Sequence, residues 1–145
     1  MAALSTQQKI SAAQMLAAVD ATDGAGLNTA QYGAMATFSH EQLPAALVTF
    51  TDAVPYAYSN SKVDLTYTQV WAIFGRDPDE IAVITEKLMF LFYQPTVRST
   101  LQDLGFVEYT ITNVTPAQLV NGQDMSGGLY GVIEFDIRIQ VSNPY

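Results

Sequence analysis

Apolar residues recur along the chain with two periods, and the switches between them mark the elements. Ile10, Ala13, Leu16 and Ala17 recur at helical spacing, which predicts a first helix over about residues 6–20. Ser5 with Gln8 three residues on has the form of a capping box, and the run from Asp23 to Gly26 stops the helix. From about 21 to 42 the sequence is rich in Ala, Gly, Thr, Ser, Asn and Gln and has no clean period. It reads as a long loop or arm, with room for a short helix near Thr29–Thr37. A loop of that length in a folded domain is usually functional.

Ala45 to Thr51 reads as a short central strand, and Pro55 to Ser61 as a connector. Asp64 to Arg76 is a longer strand. Leu65, Tyr67, Gln69, Trp71 and Ile73 share one face, and Thr66, Thr68, Val70, Ala72 and Phe74 share the other. Both faces turn apolar toward its end, so that end is expected to be covered on both sides. Asp77-Pro78-Asp79-Glu80 then supplies a cap, a proline at the first helical position and the second half of a capping box. Ile81, Ile84, Leu88 and Leu91 form the apolar stripe of that helix. Pro95 breaks or kinks it, Val97, Leu101 and Leu104 continue at helical spacing, and Gly105 is placed to stop it.

Phe106 to Thr112 alternates as a strand, Thr115-Pro116 reads as a turn, and Asn121-Gly122 and Gly127-Gly128 mark a loop. The last strand is the clearest pattern. Gly131, Ile133, Phe135, Ile137, Ile139 and Val141 lie on one face. Val132, Glu134, Asp136, Arg138 and Gln140 lie on the other, which is the wet one. The order helix, strand, strand, helix, strand, strand predicts an α+β fold, a mainly antiparallel sheet with helices packed on one face. Residues 1–145 are expected to form one domain.

Charge narrows the function. Six Lys and Arg face fourteen Asp and Glu, for a net charge of −8, and charged residues are only 14% of the chain against roughly 25% in an average domain. Nucleic-acid binding through a basic patch is excluded by the shortage of cations. Aromatic residues at 11% argue against a disordered acidic tail. A low-charge surface points to subunit contacts, because interface cores are depleted in charge. The absence of cysteine removes disulfides, thiolate metal sites and a Cys nucleophile. No basic segment followed by an apolar core opens the sequence. The apolar run from Leu88 to Tyr93 is too short to span a bilayer, so no membrane contact is expected.

No residue set calls for catalysis. The single histidine, His40, sits between Ser39 and Glu41 with no nucleophile-elbow sequence elsewhere. Asp77, Asp79 and Glu80 lack the spacing of a calcium loop and are explained as helix-start residues. Gly24-Ala25-Gly26 and Gly127-Gly128 lack the lysine and third glycine of phosphate-binding loops. Asn113-Val114-Thr115 matches a glycosylation pattern without a secretory signal. Glu134, Asp136 and Arg138 alternate on one strand face; such a row is a solvated sheet face, a channel lining or a subunit interface. No catalytic residue, cofactor or metal is expected.

Several stretches together carry a resemblance. Leu43-Pro44-Ala45-Ala46-Leu47-Val48 leads into a strand, Tyr67 to Phe74 forms the next, a long helix follows Asp77-Pro78, and Tyr130-Gly131-Val132-Ile133-Glu134-Phe135-Asp136-Ile137 closes the chain. This layout, over most of residues 5–142, resembles the tail-terminator and tail-completion (neck) proteins of tailed bacteriophages. The stretch 21–42 departs from it. The resemblance implies a virion structural protein: a homo-oligomeric, six-membered ring at the head-proximal end of the tail tube, touching the tube protein and the neck or connector proteins. It would stop tube polymerisation in the host cytoplasm during assembly. DNA would pass through without specific binding, as a lumen of subunits each carrying −8 repels it. Glu134, Asp136 and Arg138 would then face the lumen or a neighbouring subunit, with 21–42 and 121–128 as contacts to adjacent rings. The alternatives are another head–tail joining or tube protein, or a small α+β enzyme or ligand-binding domain.

Overall fold

Two long alternating strands of opposite polarity, if they share a sheet, can match their apolar faces along their whole length. β4 (Lys62–Phe74) and β6 (Tyr130–Ser142) do so. They run antiparallel in unbroken register, from Lys62 opposite Ser142 to Phe74 opposite Tyr130. In this computed structural model, residues 4–22, 24, 26–33, 38–58, 61–118 and 130–142 are described. The expected loop at 121–128 lies outside them, as do residues 23, 25 and 34–37 of the stretch 21–42.

The remaining strands flank this pair. β2 (Ala45–Phe50) pairs with the second half of β4, and β3 (Val54–Tyr58) pairs with its first half on the same side. β1 (Thr29–Tyr32) lies parallel outside β2, and β5 (Phe106–Gln118) lies antiparallel outside β6. The described residues thus form a mixed, mostly antiparallel sheet of six strands, in the order β1-β2-β4-β6-β5 with β3 beside β4. Three α-helices accompany it: α1 (Leu4–Asp20), α2 (Pro78–Phe92) and α3 (Pro95–Asp103). The fold is α+β.

Four expectations need correction. The stretch 21–42 is not all loop, because Thr29–Tyr32 pairs with Ala45–Val48. A helix near 29–37 is absent over Thr29–Tyr32, where the backbone is a strand. The expected connector at 55–61 overlaps β3 over residues 55–58, and Pro55 is tolerated there because only one side of the strand pairs. Thr115-Pro116 is not a turn: β5 runs through it to Gln118, with register shifts between Ile111 and Asn113 and between Thr115 and Gln118. An outermost strand has no second ladder for a proline to break.

The helices cover one face. Ile81, Ile84, Leu88 and Leu91 of α2 and Val97 and Leu101 of α3 are buried, and all of these but Ile81 share one cluster with Leu65, Tyr67, Trp71 and Ile73 of β4 and Ile133, Phe135, Ile137 and Ile139 of β6. Trp71, Phe92 and Phe135 meet edge to face, with ring centroids 5.0 to 6.4 Å apart. The Trp71 Nε1–H donates to Gln69 Oε1 at 2.6 Å, which lets both polar groups sit in the core. Gly105 stops the α3 segment as expected, at φ +107°.

Helix starts differ from the sequence reading in detail. α1 begins at Leu4, so Ser5 lies inside it. Gln8 does not serve a capping box; its Nε2 donates to the Thr51 carbonyl at 2.6 Å. The buried stripe of α1 is Gln8, Ser11, Ala12, Met15, Ala18 and Val19, while Ile10 is exposed. Ser11 Oγ donates to the Gln8 carbonyl and hydrogen-bonds the Tyr67 hydroxyl. These polar contacts, with small residues allowing close approach, select this stripe over the one through Ile10. At α2, Asp77 Oδ1 accepts from the Glu80 N–H at 2.8 Å as expected. Glu80 Oε1 reaches one residue further back, to the Arg76 N–H.

Candidate functional site

The sheet face opposite the helices divides along its length. At the β2 end it is apolar. Ala45, Leu47 and Val132 are buried there, and Phe74 stacks with Phe38 and Tyr130 at 5.6 and 5.8 Å. This is the end of β4 expected to be covered on both sides. Arg76 Nη2 and Asn28 Nδ2 both donate to the Leu43 carbonyl, at 2.6 and 2.7 Å. Two donors on one carbonyl fix the chain where it enters β2.

The other half is polar. The alternation of β6 puts Glu134, Asp136 and Arg138 in one row on this face, as expected. Their cross-strand neighbours are Val70, Thr68 and Thr66 on β4 and Asn113, Thr110 and Glu108 on β5. Asp136 is exposed, and Glu134 and Arg138 are half-buried. The Thr68 hydroxyl donates to Asp136 Oδ1 at 3.3 Å, and the Thr112 hydroxyl to the Glu134 carbonyl at 3.3 Å.

Arg138 is engaged by a residue that sequence reading did not single out. Its Nη2 lies 2.8 Å from Asp64 Oδ2, and Gln140 Nε2 donates to Asp64 Oδ1 at 3.0 Å. Asp64 is buried, yet the two donors hold its carboxyl below the ordinary aspartate value. The Arg138 hydrogen bond is the leading cause and Gln140 the next. Asp64 stands at the head of the alternating run of β4, on the same face as Thr66 and Thr68. Its position on the wet face was therefore legible, but its partner was not.

Beside this pair is a shallow depression of about 390 Å³, whose polar lining includes Thr51, Asp52, Thr68, Glu108, Asp136 and Arg138. Its acids outnumber its one cation, and that cation is held by Asp64. The arrangement presents negative potential and hydroxyls, and offers no activated nucleophile. His40 is exposed in a short 3-10 turn over His40–Gln42 and does not line this depression. Asp77, Asp79 and Glu80 are spent on the α2 start. Among the described residues no three His, Cys, Asp or Glu side chains are grouped to hold a metal ion, and no helix is long and apolar enough to cross a membrane.

The chain matches no protein-family model and no curated protein.

Proposed function

We propose that this chain is a virion structural subunit of the tail-terminator or neck type, which assembles into a ring at the head-proximal end of a phage tail tube. The observation that carries the reading is the acidic half of the open sheet face. Asp52, Glu108, Glu134 and Asp136 stand there with Arg138, whose charge Asp64 offsets. A wall of that sign repels a DNA phosphate backbone, which suits a conduit that DNA passes without binding. The low charge content suits the subunit contacts of a ring. The layout of strands and helix that resembles the terminator proteins adds to it.

The test is electron microscopy of particles made with the gene for this chain disrupted. Headless particles with overlong tail tubes of uneven length are expected. Normal tails joined to heads would overturn the reading. Tails of correct length that lack heads would point instead to a head–tail joining protein.

A further inference from the structure

The outer edge of the sheet carries a contact that neither the core nor the acidic face requires. The Gln140 N–H donates to the Gly105 carbonyl at 2.7 Å, so the even-numbered residues of β6 turn their backbone groups toward β5. Thr110 lies opposite Asp136 and therefore faces β6. Its neighbours Tyr109 and Ile111 turn their N–H groups outward, away from the sheet. Such donors on an edge strand are a template for another chain.

One of these donors is taken. The Ile111 N–H donates to the Tyr93 hydroxyl at 3.0 Å. Tyr93 follows the last residue of α2 and is 41% exposed, so its ring reaches the edge from the helical layer. Arg98 holds it there, with its guanidinium 5.8 Å from the Tyr93 ring centre and 5.4 Å from that of Tyr109. The Tyr109 hydroxyl in turn donates to the Phe92 carbonyl at 2.6 Å. Val107, beside the same edge, is 44% exposed and would add apolar contact for an incoming strand.

We propose that Tyr93 is an autoinhibitory guard on β5: by occupying the Ile111 N–H at mid-edge it suppresses strand addition by a second copy of this chain. An incoming strand must lose the Tyr93 hydrogen bond and displace a ring held by Arg98 before it can form its own ladder. The inference concerns the free chain and does not rest on the ring reading.

The test is the full-length Tyr93→Phe variant, which keeps the ring and its Arg98 contact and removes the hydroxyl. In dilute wild-type protein, amide hydrogen exchange followed by NMR should be slow at Ile111 and faster at Tyr109. In the variant, Ile111 exchange should rise about tenfold, the loss expected for one hydrogen bond, with Thr110 unchanged. Sedimentation velocity over a concentration series should show more self-association than wild type, and the Tyr109 and Ile111 amides should regain protection as the variant associates. Self-association equal to wild type would overturn the guard, even if Ile111 exchange rose. So would association that leaves both amides unprotected, because the contact would then lie elsewhere. A variant with Arg98→Ala added should associate more still.

Discussion

Arg138 and Asp64 stand 74 positions apart in the chain and meet on the open sheet face with 2.8 Å between Nη2 and Oδ2. Gln140 completes the clasp from the same strand as Arg138. The two strands that carry these groups are the central pair of the sheet, so the clasp sits over the ladder that organises the fold.

Its effect should depend on pH in one direction. The Asp64 carboxyl is held below its ordinary value of 3.8, so the native state favours the ionised form. The stabilisation is present above pH 3.8 and is lost as pH falls through the lower native value. The Asp64→Asn variant should therefore melt below wild type at pH 7. The gap should close as both are measured at progressively lower pH beneath 3.8. A gap that stays constant into strong acid would contradict the assignment.

Alkaline pH acts on the opposite face. Burial pushes the Tyr67 and Tyr109 phenols up to about 12 from 10, so the fold favours their neutral forms. Stability should be full below pH 10 and fall as pH rises from 10 toward 12, with Tyr67 contributing on the order of 2 kcal/mol. Denaturant titrations at stepped pH check this, and Tyr67→Phe should flatten the slope.

Gly105 should tolerate no side chain. Its φ is +107°, and a Cβ there would lie 2.6 Å from the Gln140 carbonyl oxygen. That oxygen belongs to a central strand and cannot withdraw. Gly105→Ala should cost about 1–3 kcal/mol through backbone strain and displacement of the β5–β6 joint, read from the urea midpoint.

Thr85 should be replaceable at a gain. It is fully buried on α2, and its hydroxyl has no hydrogen-bond partner. Thr85→Val keeps the shape and removes the unmet polar group. A stabilisation of about 1 kcal/mol is expected, measured by thermal and chemical unfolding.

Elements whose side chains alternate over many residues, or whose local cap is stereochemically specific, can be read from the sequence. The faces of β4 and β6, the stripe of α2, the Asp77 cap and the Gly105 stop were legible for that reason. β1 was not, because Thr-Ala-Gln-Tyr is short and carries no two-residue period that marks a strand. β3 and the far half of β5 were obscured by Pro55 and Pro116, which signal turns locally but are allowed where a strand has an open side. The candidate row Glu134, Asp136 and Arg138 was legible from spacing. Its neutralising partner Asp64 was not, because only the β4–β6 register brings it to Arg138. Tyr93 offered no signal at all, since its role depends on where the end of α2 falls beside β5.

The pairing of β4 with β6 also dictates the order in which the fold can be completed. β6, one of the two inner strands that form the longest ladder of the sheet, is the last of the described elements to leave a ribosome. At roughly 5–20 residues per second, β4 waits on the order of several seconds for it, with Trp71 and Ile73 lacking their neighbours Ile133 and Gly131. During that interval the exposed side of β4 is an edge as long as the one β5 keeps in the finished protein, 13 residues, and a more apolar one. Assembly of this chain is therefore most vulnerable during synthesis, before β6 arrives.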